Sequence, residues 1–216
     1  MAPGNEGREW ESLQETDRSV RRYFRDLTEL IPQLPYNSIS RIVSIFLDAF
    51  AEQRTVYVFG NGGSAASASH LMCDINKGAS GSPEGKRPRV MALTDNTSLI
   101  TAWANDFGYE RVFSEQLKTF IKPRDVAFAI STSGDSPNIL LALKTATEYG
   151  AMTVGLGGCQ GGQMKSLCDV CAIIPSANVQ LVEDLHHAMV HSIFVAVRED
   201  LLAGNHKTSM ARAASF

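Results

Sequence analysis

Short apolar runs recur along the chain from Thr55 onward, and each is followed by a polar turn and a segment of helical periodicity. The runs are almost wholly apolar and do not alternate with polar residues, as is typical of strands buried on both faces. Strand and helix in alternation predict the α/β class, a mostly parallel sheet with helices on both sides. The predicted strands are 55–59, 89–93, 125–130, 152–156 and 170–174.

The first 54 residues contain no such runs, and their apolar positions recur at helical intervals. A helical arm of this kind must bury its apolar face on the main domain or on another subunit. We therefore expect a helical arm over 1–54, a main domain over 55–203 and a flexible tail over 204–216.

Composition excludes several classes of protein. Of the 216 residues 44% are hydrophobic and 20% are charged, with a net charge of −3, which is typical of a globular chain. This low charge argues against a nucleic-acid partner. No apolar run reaches the ~18 residues of a membrane span, and no signal peptide is visible, so we expect no membrane association. Four cysteines do not form a disulfide framework at this length, which favours a cytoplasmic location.

Two of the predicted strands end in loops that suit an anion. The first loop, Gly60-Asn-Gly-Gly-Ser64, follows the 55–59 run, and Ser64 is a candidate cap for the next helix. Glycines allow a ligand to approach closely, and the free N–H groups of a helix start favour an anion. The glycine spacing fits neither the dinucleotide fingerprint nor a Walker loop, so an ordinary strand-to-helix turn explains this loop equally well.

The second loop is rich in hydroxyl groups. Four of them lie within six residues, before a helix that begins at Pro137: Ser131, Thr132, Ser133 and Ser136. Hydroxyls and amides can surround a phosphate without any lysine or arginine. A serine-rich turn and cap would need only one or two of them, so the excess favours a phosphate site.

Titratable residues cluster in two predicted helices. His70 and Asp74 are four residues apart after the first loop and therefore share a helix face. The last helix carries a second set: Glu183, Asp184, His186, His187 and His191. Such groups suit a Zn²⁺ site with two nitrogen and two oxygen ligands, or else an acid/base pair. Since His186 and His187 point about 100° apart, we expect one of them on a surface or interface.

In this order, the motifs resemble the sugar isomerase (SIS) family. They are Gly60-Asn-Gly-Gly-Ser64, Ala68-Ser-His70 with Asp74, Ile130–Ser136, Gly161-Gly-Gln-Met164 and Val182-Glu-Asp-Leu-His186 with His191. The resemblance covers about residues 10–203 and is closest to the phosphoheptose isomerase branch. It implies a flavodoxin-like sheet of five parallel strands with an N-terminal helical arm. It also implies a homotetramer with sites between subunits.

The resemblance further implies roles for individual residues. A zinc ion would lie among His70, Asp74, Glu183 and His191. The implied substrate-binding residues, with the 131–136 loop holding the phosphate, are Asn61, Gly62, Gly63, Ser64, Asp95, Asn96, Ser131, Thr132, Ser133, Ser136 and Gln180. The sequence departs from the branch at three of these positions, where glutamate is usual at 74, glutamine at 183 and often aspartate at 180.

We therefore expect an aldose–ketose isomerase that acts through an enediolate. Its expected substrate pair is sedoheptulose 7-phosphate and glycero-manno-heptose 7-phosphate. Asp74, or else Glu183, would be the base, and His191 would move a proton on oxygen. Two alternatives are an isomerase of another C6–C8 sugar phosphate in a natural-product pathway, and a non-catalytic SIS protein that binds a sugar phosphate or a replication initiator. The intact set of acid/base candidates favours an enzyme.

Overall fold

The fold is an α/β arrangement of five strands and their flanking helices. The structure, a computed structural model, describes residues 6–79 and 87–203, with side chains from residue 14 onward. The strands are β1 (Thr55–Gly60), β2 (Arg89–Ala92), β3 (Val126–Ser131), β4 (Met152–Gly158) and β5 (Val170–Ile174). The α-helices are α1 (Glu6–Leu30), α2 (Tyr36–Ala51), α3 (Gly63–Gly78), α4 (Thr97–Phe107), α5 (Ser114–Phe120), α6 (Pro137–Glu148), α7 (Met164–Leu167) and α8 (Val179–Ala203). Short 3-10 helices cover Ile31–Gln33 and Tyr109–Arg111.

The five strands form one sheet in the order β2-β1-β3-β4-β5, and every neighbouring pair is parallel. This confirms the predicted flavodoxin-like sheet. All six residues of the central strand β3 are buried. A parallel sheet covered on both faces requires such apolar strands, since neither face meets water.

Two apolar cores lie on opposite faces of the sheet. Side chains alternate along β1, so that Val58 joins one core and Phe59 the other. The first core is completed by α2, α3 and α8, with Phe46 at its centre in edge-to-face contact with Phe128. The second is completed mainly by α5, α6 and α7. Helix α2, which precedes the first strand, and α8, the last described helix, thus cover the same face of the sheet.

The two helices of the predicted arm differ in their packing. Helix α2 is part of the first core, with Ile42 and Phe46 fully buried. Helix α1 lies against α8, where the Tyr23 hydroxyl donates to the Asp184 carboxylate at 2.6 Å, while Phe24 stays 62% exposed. The division into an arm, a main domain and a tail stays a prediction, and the predicted tail, 204–216, lies outside the described residues. No helix in the described part of the chain is long and apolar enough to cross a bilayer.

The start of α3 differs from the prediction. Ser64 is not the cap. The N-cap is Gly62, and Ser64 lies inside the helix with its side chain buried. Gly62 has φ +55° and ψ −122°, a conformation that residues with a Cβ rarely adopt. The chain therefore turns on a glycine here, and the α3 N-terminus has no side-chain cap.

His186 is enclosed between α8 and the sheet, and burial lowers its pKa to about 4 from an ordinary value of 6.5. Below pH 6.5 the unfolded chain binds a proton that the folded chain excludes, so stability falls as the pH drops through this window. We expect the free energy of unfolding to fall by roughly 2 kcal/mol more in the parent than in His186→Gln between pH 7 and 5.

Urea unfolding at both pH values, with a chelator present, measures this difference. Equal losses in the two proteins would contradict the assignment of the pH dependence to His186.

Candidate active site

The two candidate loops lie side by side at the carboxyl edge of the sheet. They follow neighbouring strands, with Gly60 of β1 level with Ile130 of β3. The Asn61 and Asn138 side-chain amides exchange hydrogen bonds of 3.0 and 2.8 Å between the loops. The Tyr109 hydroxyl also donates to Asn61 Oδ1, at 3.0 Å. Asn61, expected to contact substrate, is therefore held in a fixed position beside the second loop.

The first loop presents backbone N–H groups at the start of α3. Gly62 and Gly63 are exposed, and no hydrogen bond of the described residues uses their N–H groups. A side chain at position 63 would meet Glu183, because an added Cβ would lie 2.8 Å from Glu183 Oε2. The N–H groups suit an anion, and the adjacent Glu183 carboxylate limits where that anion can sit.

The second loop keeps two of its four hydroxyls free. Ser131 Oγ accepts from the Gly134 N–H at 3.1 Å, and Ser133 Oγ accepts from the Asp135 N–H at 3.3 Å. The Thr132 and Ser136 hydroxyls make no hydrogen bond among the described residues. Two hydroxyls thus build the turn and two remain available to a ligand at the start of α6.

A neighbouring segment supports the second loop. Gly134 has φ +68°, and a Cβ added there would lie 2.1 Å from the carbonyl oxygen of Gly161. The Asp135 carboxylate accepts from the Gln163 N–H at 2.9 Å, and the Met164 N–H donates to the Gly134 carbonyl at 2.9 Å. The Gly161–Met164 motif, which the sequence reading assigned no role, therefore holds the loop in shape.

Three further predicted substrate residues lie apart from these loops. Asp95 accepts hydrogen bonds from the Ser69 and Thr94 hydroxyls after β2. Asn96 Oδ1 accepts from the Leu99 N–H at 3.0 Å and so caps α4. Gln180 is exposed in the first turn of α8. Asn96 therefore has a structural partner, while the substrate roles of all three stay predictions.

Helices α3 and α8 bring three of the predicted metal and acid/base residues together. His70 Nε2 lies 2.8 Å from His191 Nε2, and Asp74 Oδ2 lies 3.2 Å from the first nitrogen and 3.8 Å from the second. Ligand atoms of a tetrahedral Zn²⁺ site with bonds of about 2.0 Å lie about 3.3 Å apart. His70, Asp74 and His191 therefore fit a divalent metal ion without large movement.

His187 also belongs to this cluster, whereas the Glu183 carboxylate lies against Gly63 and its metal role stays a prediction. The ring of His187 lies 4.7 Å from that of His70 and 4.6 Å from that of His191. The ligand atoms of these three histidines all lie within 4.8 Å of one another. Burial, together with the adjacent His191 and His70, lowers the pKa of His187 and favours its neutral, metal-binding form.

Of the two adjacent histidines, His187 is the partly exposed one and His186 the buried one. The spacing of four residues from His187 to His191 was the available signal that His187 faces the cluster. The sequence alone could not show this, because Glu183 and His187 are also four residues apart. Which residues of α8 face the cluster depends on how α8 packs against α3.

Comparisons with known proteins place the chain in a family. Residues 22–158 match the model of the SIS domain. A phosphoheptose isomerase of Geobacter sp. (strain M21) is 36% identical over 194 residues, which span 89% of this chain and 100% of that protein. Another, from Rhodospirillum rubrum, is 41% identical over 142 residues, 66% of this chain and 74% of that protein.

Solved structures agree with these relatives. A phosphoheptose isomerase from Francisella tularensis superposes with a TM-score of 0.79 at 25% identity, covering 87% of this chain and 98% of that chain. One from Neisseria gonorrhoeae gives a TM-score of 0.78 at 26% identity, covering 84% and 99%. The family match, the near-complete overlap with relatives and the shared fold lead to one conclusion: the chain belongs to the SIS domain family, among the phosphoheptose isomerases.

Proposed function

We propose that this protein is an aldose–ketose isomerase that interconverts sedoheptulose 7-phosphate and glycero-manno-heptose 7-phosphate. The observation that carries the proposal is the placement of the two loops side by side at the start of α3 and α6, with the His70–Asp74–His191 cluster on α3 and the neighbouring α8. His70 is seven residues beyond Gly63, which is about 10 Å along the helix. A phosphorylated sugar in extended form can reach from one group to the other.

The phosphate is proposed to bind the second loop. The Thr132 and Ser136 hydroxyls and the N-terminus of α6 supply donors, and the Gly161–Met164 segment keeps them in place. Asn61, Ser64, Ser131 and Ser133 contribute to the shape of this site. Binding energy from the phosphate then positions the other end of the sugar for reaction.

Proton transfer is proposed to fall to the α3–α8 cluster. Asp74 is the first candidate for the base that takes the proton from the carbon beside the carbonyl, and Glu183 is the second. His191, in hydrogen-bond contact with His70, moves a proton between the two oxygens or opens the ring. Asp74 is one methylene shorter than the glutamate usual in the branch, so the base lies farther back and requires a closely placed sugar.

A zinc ion is proposed at the same cluster. The distances between their ligand atoms support His70, Asp74 and His191 as ligands, and the resemblance implies Glu183 as a fourth. When bound, it would polarise the carbonyl and stabilise the charge of the enediolate. The Nε2 atoms of His70 and His191 and the Asp74 carboxylate oxygen have separations close to those between ligand atoms of a tetrahedral zinc site, and this supports the proposal.

Cytoplasmic location stays a prediction from the cysteine pattern.

A homotetramer is proposed as the working form. Two separate apolar faces support it. Val20 and Phe24 on α1 are 50% and 62% exposed, and Phe107 at the end of α4 and Tyr109 just after it are 56% and 53% exposed. A closed tetramer with two-fold symmetry needs two distinct interfaces, and these two faces can supply them. Apolar side chains in such groups are typical of interfaces.

Proton NMR in D₂O tests the reaction directly. With sedoheptulose 7-phosphate we expect a new aldose signal, with deuterium entering at the carbon that exchanges its proton. Asp74→Asn should lower kcat by about 10² to 10⁴, because the general base is lost. Glu183→Gln should cost less. Full activity in both variants would overturn the acid/base scheme, and no aldose signal with the parent would overturn the substrate.

A single hydroxyl tests the phosphate site. Ser136→Ala should raise KM for the sugar phosphate roughly 10- to 100-fold, since a hydrogen bond to a charged group is worth about 1.5–3 kcal/mol. Thr119→Ala is the matched control, because it removes an exposed hydroxyl from α5, outside both loops. Equal KM values in the two variants would place the phosphate elsewhere.

The exposed face of α1 tests the assembly. Phe24→Glu should shift the protein from tetramer to a smaller species in sedimentation equilibrium, because a buried carboxylate at an interface is costly. Arg22→Glu, on the opposite face of the same helix, should leave the mass unchanged. A tetramer that persists in Phe24→Glu would exclude this face from the interface.

A further inference from the structure

Two cysteines lie close together at the β5 edge of the sheet. Cys168 directly follows α7, and Cys171 lies in β5, level with Gly155 of the neighbouring strand β4. A Cβ added at Gly155 would lie 2.9 Å from Cys168 Sγ and 3.0 Å from Cys171 Sγ. Both sulfurs therefore occupy the space that a side chain at position 155 would fill, and the absence of that side chain lets them meet.

The backbone on both sides of Cys168 is held by β4. The Thr153 hydroxyl donates to the Leu167 carbonyl at 2.9 Å, and the Thr153 N–H donates to the Asp169 carboxylate at 2.8 Å. The Asp169 N–H in turn donates to the Thr153 carbonyl at 2.9 Å. Because folding has already ordered this backbone, a bond between the two sulfurs costs little further chain entropy.

The two thiols differ in how readily they lose a proton. Hydrogen bonding with Cys171, together with burial, raises the pKa of Cys168. The same contact, with the charge of Lys165, lowers the pKa of Cys171 against the opposing effect of burial. Both residues are partly exposed, so a small reagent has access to them. A thiolate is the attacking species in disulfide exchange, which makes Cys171 the attacking sulfur and Cys168 its partner.

We propose that Cys168 and Cys171 are a redox-active pair, which a low-molecular-weight disulfide oxidises to an intramolecular disulfide bond. The Cys171 thiolate attacks one sulfur of the small disulfide, forms a mixed disulfide and releases a small thiolate. That thiolate takes the proton of the Cys168 thiol, and the Cys168 sulfur then displaces the second small thiolate from Cys171. This second thiolate takes up the proton that Cys171 had released. The protein loses two hydrogen atoms, and the small disulfide is reduced to two thiols.

Oxidation acts on the second loop through α7. Met164, the first residue of α7, is buried, and its N–H donates to the Gly134 carbonyl at 2.9 Å. Its methyl group lies 3.3 Å from the same Cβ position at Gly155 that the two sulfurs approach. A disulfide bond is shorter than a contact between two thiols, so closing it shifts the sulfurs beneath Met164 in a closely packed region. The effect of this shift on catalysis rests on the proposed function.

Thiol mapping tests the disulfide without any assay of activity. The reduced protein is equilibrated with mixtures of glutathione and glutathione disulfide, its free thiols are alkylated, and its tryptic peptides are weighed. Peptide 166–198 holds both Cys168 and Cys171 and should be recovered lighter by two hydrogen atoms, without alkyl groups. Cys73 and Cys159, which are exposed and lie on other peptides, should carry the alkyl group at the most reducing mixtures that oxidise the pair.

Single variants test the order of attack. Cys168→Ser should stop the reaction at a mixed disulfide between glutathione and Cys171, because the sulfur that displaces glutathione is gone. Cys171→Ser should be modified by glutathione disulfide several-fold more slowly than Cys168→Ser. Cys159→Ser is the matched control, because it removes an exposed thiol just beyond β4, and it should leave the disulfide of peptide 166–198 unchanged. Thermal unfolding under reducing conditions checks that each variant is folded.

Hydrogen exchange tests the link to the second loop, again without turnover. Peptides that cover 161–167 should exchange about 3- to 10-fold faster in the oxidised protein than in the reduced one, the size expected when one backbone hydrogen bond weakens. The KM for the sugar phosphate should rise by a similar factor and return to its first value after reduction. The double variant Cys168→Ser/Cys171→Ser should show neither change.

A peptide 166–198 that keeps both thiols free at every glutathione ratio would overturn the proposal. So would a disulfide that leaves hydrogen exchange and KM unchanged. Failure of the reduced protein to convert the sugar phosphate would instead contradict the proposed isomerase. Thiol mapping and hydrogen exchange need no turnover, so the two failures are distinguishable.

Discussion

The close pairing of β1 with β3 at the centre of the sheet is the constraint on which the site depends. The two strands are in register up to Gly60 and Ile130, so their following loops begin next to each other. A Cβ at Gly60 would lie 2.8 Å from the Ile130 carbonyl oxygen and 2.7 Å from Ser64 Cβ. Only glycine lets α3 start this close to the sheet, and both loops therefore serve one crevice, as expected at the carboxyl edge of a parallel sheet.

Helix α3 connects binding to chemistry. Its first turn offers N–H groups to an anion, and its later turns carry Ser67, His70 and Asp74 toward α8. The helices α3 and α8 pack against the same core through Leu71, Ile75 and Val190, which are fully buried. Because that apolar contact fixes the distance between the helices, it also sets the spacing of the polar groups along the seam.

The histidine cluster is exposed to solvent in the single chain. The side chains of His70 and His191 are 41% and 49% exposed in the single chain. Catalysis through an enediolate benefits from a site that excludes water. The proposed tetramer meets this need, because subunits joined through the exposed apolar faces of α1 and α4 would cover surfaces that one chain leaves open.

By itself, the sequence determined the parallel α/β sheet, the positions of the two loops and the identity of the titratable residues, because apolar runs, glycines and four-residue spacings are local patterns. It did not show that Gly62 and not Ser64 is the N-cap of α3, since backbone angles depend on how closely the helix packs. It also could not show which of Glu183 and His187 lies beside His70, because each of them is four residues from another titratable residue of α8. The tertiary structure places His187 beside His70 and Glu183 beside Gly63, because the register of α8 against α3 depends on how the two helices pack.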